Sequence, residues 1–556
     1  MKSRPEALRA IENHSFDVCV IGAGATGAGC ALDAQLRGLE TVLIEANDFA
    51  SGTSSASTKM VHGGVRYLEQ AVRRFDLAEF KSVKRALRER LPMLRNAPYL
   101  TRTRQFITPC YRWSDVAYYE AGLKLYDLIA GRAGLARSEF LSRGEVLRRI
   151  PALERGRLRG GVAYTDGQFD DARYTIALVL TFAEAGGEAA NYTRVVELER
   201  SAQGRITAAE VQDQLSERRF PVRAKCFVNA TGPFADSIRQ LGRPSVPERM
   251  RLSKGVHILL PLELLAPDAP PDEGPDALLI PKTEDGRVLF AIPWMGRLLV
   301  GTTDVEVREP EQPGVTKAEV QYLLRHLNCY LAKPVEASQV VSAFRGVRPL
   351  LRPSRSRRGP TKELARDHLV EIEPVSGLVS IMGGKWTTYR VMAQDTIDAV
   401  ERHLERKVGA CCTLNRPLVG SDGYTPDSWQ ILPREFGISE ASARHLCSKF
   451  GVRARDVMAL ARANPRLAAP LASGLTPLQA EVVFCARHEM AVSIEDILAR
   501  RIGLEPYGWR ESMVAAPQVA ELLGTELGWA REQQARATEQ YLARIANFIE
   551  ESGAAA

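Results

Sequence analysis

The stretch that most constrains this chain is residues 16–69. Phe16 to Ile21 is a short apolar run containing Val18, Val20 and Ile21, which predicts a buried parallel strand. Gly22, Gly24 and Gly27 follow at once in G-x-G-x-x-G spacing. A helical pattern runs from Ala25 to Arg37 and ends at Gly38; Thr41 to Ile44 is a second apolar strand, closed by Glu45. Gly22 allows a tight turn, Gly24 admits a pyrophosphate to the backbone, and Gly27 lets helix and strand pack closely. The helix N-terminus offers unpaired N–H groups and a partial positive charge to phosphates. Glu45 stands where it can accept hydrogen bonds from both ribose hydroxyls. The unit predicts dinucleotide binding without separating NAD from FAD. Beyond it, Ser51 to Ser57 is a run of small residues, including Ser54 and Ser55, followed by Lys59, His62, Gly63 and Gly64. Small residues there let backbone lie close to a planar ligand; a solvated loop is the simpler alternative.

At 556 residues the chain needs two or three domains. A composition of 45% hydrophobic and 25% charged residues is that of a globular protein. The formal charge of +7 suits nucleic acid, anionic lipid or a phosphorylated substrate without choosing among them. Nine cysteines lack C-x-x-C pairs or a nearby histidine cluster, so no metal site is expected, and their scatter fits a reducing compartment. The N-terminus lacks the apolar core of a secretory signal, and no stretch is long and apolar enough to span a bilayer.

Further along, Leu77, Phe80, Val83, Leu87 and Leu91 recur at helical spacing on a basic segment, which reads as a solvated surface helix or an anionic-membrane contact. Asp170-Asp171 caps a helix over 172–185. Strands are expected at 190–198, 206–211 and 222–228, the last leading into Asn229-Ala230-Thr231-Gly232-Pro233. Residues 249–305 alternate like an antiparallel sheet. Beyond about 420 the pattern is helical, as in 441–450, 476–489, 494–501 and 530–550. The fold class is α/β: a doubly wound Rossmann-like domain, an interleaved antiparallel-sheet substrate domain (pieces near 85–165 and 245–345) within residues 1–420, and an all-helical domain over 421–556.

The stretch TSSASTKMVHGGVRYLE resembles the motif after the second strand in FAD-dependent, quinone-linked glycerol-3-phosphate dehydrogenases. VNATGP (228–233), KGVHILLP (254–261), IPWMGRLLVGTTD (292–304), GVRPL (346–350) and GGKWTTYR (383–390) resemble the same family in the same order. The resemblance implies FAD as cofactor, glycerol 3-phosphate as substrate and a quinone (ubiquinone or menaquinone) as acceptor. It also implies a homodimer lying peripherally on the inner face of the cytoplasmic membrane, with no nucleic-acid partner. Arg66, Tyr67, Arg348, Arg366, Lys385 and Thr388 are implied substrate contacts, and arginines hold phosphate bidentately. His257, beside the flavin in the family, is the candidate base; the alternative is an alkoxide stabilised by Arg348, with water as proton acceptor. Thr231, Gly232, Gly383, Gly384 and Thr387 complete the implied flavin contacts, along with Ser54, Ser55, Ser57, Lys59, His62, Gly63 and Gly64. Asp304 matches a family position of unassigned role. The insert at 352–362 is basic where the bacterial relatives are acidic, which loosens the alignment of Arg366. Rival readings are an oxygen-reducing glycerol-3-phosphate oxidase and an RNA-modifying flavoprotein. The first wants an insertion, and the second a long basic groove or cysteines near the flavin; none of these is evident.

Overall fold

Six of the seven residues of β1 (Ser15–Ile21) are buried, because the strand has parallel neighbours on both sides and helices or strands over both faces. The computed structural model describes residues 1–64, 77–267, 274–310, 314–352 and 367–554. The chain continues through β2 (Thr41–Ile44), β3 (Met60–Val61), β4 (Thr101–Cys110), β5 (Glu139–Ser142) and β6 (Gly160–Phe169). Next come β7 (Glu188–Ala190), β8 (Thr193–Arg200), β9 (Ile206–Asp213), β10 (Arg219–Asn229) and β11 (Met250–Pro261). Then follow β12 (Ala277–Ile280), β13 (Leu289–Trp294), β14 (Arg297–Gly301), β15 (Val305–Val307), β16 (Ser342–Leu351), β17 (His368–Ile372) and β18 (Val379–Gly383).

Among the described residues the first sheet runs β17-β18-β10-β1-β2-β7, with β8 and β9 attached through β10. The chain leaves β1 toward β2 on one side and returns to it through β10 on the other. That reversal opens a crevice beyond the carboxyl ends of β1, β10 and β18, where a doubly wound sheet binds its ligand. The Ala25–Leu36, Asp171–Glu184 and Tyr389–Leu404 helices share a core with these strands. Asp170 caps the middle one by accepting from the Arg173 N–H.

The second sheet runs β15-β11-β14-β13-β12-β4-β6-β3, with β16 on β11 and β5 on β6. It is antiparallel apart from the β4–β12 pair, and it interrupts the first sheet twice. β3, ahead of residue 85, also belongs to it. Its decisive pair is β11 with β16. The register sets His257 opposite Phe344, Gly255 opposite Gly346 and Ser253 opposite Arg348. Because a strand alternates sides with period two, these six residues share one face.

The Leu77–Asn96 helix buries Val83 and Leu87 and exposes Lys81, Lys84, Arg85 and Arg88, as a surface helix should. Its Glu89 and Arg90 turn inward, to Arg390 and to Asp166.

The helical region from residue 431 is fastened to the first sheet by buried ions. Asp48, on the loop after β2, accepts from Arg500 Nε at 2.6 Å and from Arg501 at 2.8 and 2.9 Å. Glu489 takes both arms of Arg173 at 2.6 and 3.0 Å. Residues 496–501 form a π-helix rather than the α-helix expected there, and the wider turn brings consecutive arginines onto one carboxylate. Burial pushes both carboxyls up, but the guanidinium charges outweigh it and hold Asp48 and Glu489 at about 2. With native pKa values below the unfolded ones, this stabilisation is present above the ordinary carboxylate range and is lost as pH falls toward 2. Asp48→Ala takes one carboxylate from each of two buried arginines, which keep Glu495 and Asp496 (Arg500) and Glu489 (Arg501), so the expected cost is at the low end for a broken buried pair, about 3 kcal/mol. It should be read as a lowered denaturation midpoint with early proteolytic release of the helical region.

Candidate active site

The crevice begins at the glycine turn. Gly22 has φ +102°, a conformation that favours glycine, and a Cβ there would lie 2.8 Å from the Ala230 carbonyl oxygen. At Gly27 a Cβ would meet the Gly22 carbonyl oxygen at 1.8 Å, so only glycine lets the helix approach this closely. The helix N-terminus has no side-chain cap from Gly24, and Ala25 donates its N–H to Ser54 Oγ at 2.9 Å. Glu45 accepts from the Ala23 and Asn47 N–H groups at 2.7 and 3.0 Å, while burial pushes its carboxyl up.

From Glu45 a cavity of about 780 Å³ runs past Gly24, the loop 51–58 and Thr231–Gly232 to His257, Arg348 and Gly383–Lys385. A glycine turn, a helix N-terminus at the crevice and a carboxylate at its mouth are what a dinucleotide with a pyrophosphate centre requires.

At the far end, His257 is 1% exposed, and its ring stacks on Phe344 with centroids 5.0 Å apart. Its Nε2 lies 3.0 Å from Thr58 Oγ1. Burial, then the nearby Arg348 and Lys59 charges, push the imidazole well below its ordinary value, so it is neutral at physiological pH. Arg348 crosses Gly255, where any Cβ would strike the guanidinium, and donates to Thr302 Oγ1 at 2.7 Å and the Thr303 carbonyl at 3.2 Å. Asp304, which also accepts from the Ser253 hydroxyl, stands 4.0 Å from Arg348. Lys385 reaches Ser82 Oγ at 3.2 Å from the opposite wall.

Most sequence-predicted contacts line this one cavity: Gly22, Gly24, Glu45, Ser54, Ser55, Ser57, His62, Gly63, Gly64, Thr231, Gly232, His257, Arg348, Gly383, Gly384, Lys385 and Thr387. Three do not. Gly27 acts behind the wall, as helix packing. Lys59 is buried: its ammonium donates to Asp171 at 2.5 Å and to the Ser55 carbonyl at 2.6 Å, and sits 4.9 Å from the Phe344 ring centroid. It therefore positions the loop rather than facing the cavity. Thr388 is buried, and its hydroxyl donates to the Lys385 carbonyl at 3.1 Å, so its proton is already engaged. Arg66, Tyr67, Arg366 and the insert after Arg352 lie outside the described residues. Sequence reasoning missed Thr58, Phe344 and Trp386, the last donating its indole N–H to the Ser54 carbonyl at 3.0 Å. It also missed Arg500, Arg544 and Phe548, which bring the helical region to the cavity wall. Thr58 and Trp386 lay within the motifs already quoted; nothing local marks the other four.

Comparison with known proteins agrees with this geometry. The family signature of FAD dependent oxidoreductases matches residues 17–390, and that of the C-terminal domain of alpha-glycerophosphate oxidase matches residues 411–534. The chain is thus an FAD-dependent oxidoreductase by fold and by site. The mitochondrial glycerol-3-phosphate dehydrogenase of Mesocricetus auratus is 38% identical over 95% of this chain and 73% of its own length. That of Arabidopsis thaliana is 39% identical over 98% and 87%. The glycerol-3-phosphate dehydrogenase of Bacillus halodurans, solved with FAD, superposes with a TM-score of 0.78 at 27% identity, covering 98% of this chain and 97% of the other. The chain belongs to the FAD-dependent glycerol-3-phosphate dehydrogenase family, and FAD is its cofactor.

The double variant Lys59→Met/Asp171→Asn removes the charge behind Phe344 together with its buried partner. His257 should then titrate higher, and the acid limb of the pH–rate profile should move to higher pH; the check is kcat/KM against pH.

Proposed function

We propose that this protein oxidises sn-glycerol 3-phosphate to dihydroxyacetone phosphate and passes the electrons to a membrane quinone. The observation that carries this reading is the shared face of β11 and β16, which aims a neutral imidazole and a guanidinium at the far end of a dinucleotide cavity, with Lys385 across from them. Arg348 and Lys385 hold the phosphorylated alcohol, and Arg66, Tyr67 and Arg366 join them by family resemblance. Asp304 and the two threonines 302 and 303 hold the Arg348 guanidinium. Bound FAD supplies the hydride acceptor. His257 takes the proton of the C2 hydroxyl, its burial and cationic neighbours keeping it unprotonated beforehand.

Arg348→Ala should keep FAD and lose roughly 10- to 200-fold in kcat/KM, the equivalent of about 1.5–3 kcal/mol for a charged hydrogen bond. Loss of FAD instead would put Arg348 elsewhere. The acceptor is tested by product formation with a soluble quinone and, separately, in air. One quinone reduced per dihydroxyacetone phosphate, with peroxide formed far more slowly, is the expected result; peroxide at an equal rate would make the enzyme an oxidase.

No helix among the described residues is long and apolar enough to cross a membrane. A peripheral site on an anionic bilayer, at the inner face of the cytoplasmic membrane, is supported by the Trp113–Ala130 helix. This helix exposes Trp113 and Leu128, 62% and 78%, with Phe140 against Trp113. Arg112 before it and Arg132 and Arg137 after it are exposed. Exposed apolar side chains that include a tryptophan, with arginines beyond both ends of the helix, suit a headgroup boundary. Trp113→Ser/Leu128→Ser should lower sedimentation with anionic vesicles and leave turnover with soluble quinone unchanged. A homodimer and the division at residue 420 remain part of the proposal.

A further inference from the structure

We propose that Thr58 is a proton relay: the substrate's C2 hydroxyl gives its proton to Thr58 Oγ1, and Thr58 gives its own to His257 Nε2. The inference rests on the alcohol-oxidation reading above and adds a residue that reading does not contain.

Its ground is the closure of the imidazole. Nδ1 is buried and has no hydrogen-bond partner among the described residues. Nε2 already faces Thr58 Oγ1 at 3.0 Å. One ring face lies on Phe344, and the Cδ2 edge meets Gly301, where a Cβ would come within 2.1 Å. An alcohol in the cavity therefore meets the Thr58 hydroxyl, which is less buried and lines the same wall, before it meets either nitrogen.

The hydroxyl is also held in place. On one side the Ser57 N–H donates to Asp171 at 2.9 Å. On the other, Lys59 adopts φ +60° and anchors its ammonium on Asp171 and the Ser55 carbonyl. Earlier in the loop, Thr53 donates to the Val347 carbonyl on β16 at 2.6 Å. Threonine at 58 thus has fixed flanks, and its β-branched side chain has few rotamers.

The charges facing the imidazole are Arg348 from β16 and Lys59 from the loop, with Asp171 behind Lys59. Among the described residues no carboxylate hydrogen-bonds the ring. The relay requires the resting proton on Nδ1, leaving the Nε2 lone pair to accept from Thr58. In the step, the C2 O–H bond breaks and its electron pair becomes the second bond of the carbonyl. The C2–H bond leaves with both its electrons to FAD. The hydroxyl proton bonds to Thr58 Oγ1, and the former Thr58 proton bonds to Nε2, giving an imidazolium; Thr58 is unchanged.

The test uses FAD-loaded full-length protein with Thr58→Val, Thr58→Ser and His257→Asn. Thr58→Val should keep FAD and its affinity for dihydroxyacetone phosphate, and slow anaerobic flavin reduction by about 10²-fold, the low end of general-base effects. Thr58→Ser should stay within about threefold of the parent, as a hydroxyl relay requires. Thr58→Val/His257→Asn should be no slower than the worse single variant, because both act on one proton path. Parent rates in Thr58→Val, or multiplied losses in the double variant, would overturn the relay. If Thr58→Val does not fold, Thr58→Ser and the resting protein decide. In ¹⁵N-histidine spectra of the parent, His257 should show the proton on Nδ1 and a hydrogen-bonded Nε2. A proton on Nε2 would overturn the relay whatever the substrate. A parent enzyme that glycerol 3-phosphate cannot reduce would instead overturn the substrate reading, with the ¹⁵N result still judging the relay.

Discussion

The tightest glycine contact among the described residues is the approach of Gly27 to the Gly22 carbonyl, where a single methyl group would overlap the oxygen. That approach lays the Ala25–Leu36 helix against the strand ends with its N-terminus at the crevice, where Ser54 accepts the Ala25 N–H. The segment after β2 carries Ser54 to the helix N-terminus and Glu45 to the Ala23 N–H, so both cofactor-facing walls are referred to one turn. Helix burial then follows from contact with the Tyr389–Leu404 helix, where Gly29 faces Tyr389. Cofactor position and domain core are set by the same few atoms.

The reacting end depends on a different device, the pairing of β11 with β16 across about ninety residues of chain. A slip of one strand by one residue would put His257 and Arg348 on opposite faces. Buried ions then fix what surrounds this pair. Lys59 with Asp171 locks the loop over the imidazole, and Asp48 with Arg500 and Arg501 brings the helical region to the cavity. Such clusters are costly to desolvate and costlier to break, so they favour one arrangement of the two regions over a loose association.

Much of this was legible in the sequence, for identifiable reasons. The glycine turn, the capped helix after Asp170 and the helical character beyond residue 430 depend on neighbours within a few positions. Family resemblance carried the choice of FAD and placed His257, Arg348 and Lys385. What could not be read was which side chains are consumed by remote partners. Lys59 sits in a motif beside flavin-facing residues, yet its charge is taken by Asp171, 112 positions away. Thr388 is spent on a carbonyl three residues back, a local bond that only the turn geometry discloses. Arg500 and Arg501 close a helical pattern at 494–501 that carries no sign of burial, and the π-turn and Asp48 draw them inside.

The central claim is that a phosphorylated three-carbon alcohol meets the flavin at the His257 end of the cavity. Its most direct test is an air-free titration of the yellow holoprotein with sn-glycerol 3-phosphate, with no acceptor present, following the flavin's visible absorption. The account predicts bleaching complete at one substrate consumed per flavin, and none with unphosphorylated glycerol at the same concentration. An unchanged spectrum, or equal bleaching by glycerol, would contradict it.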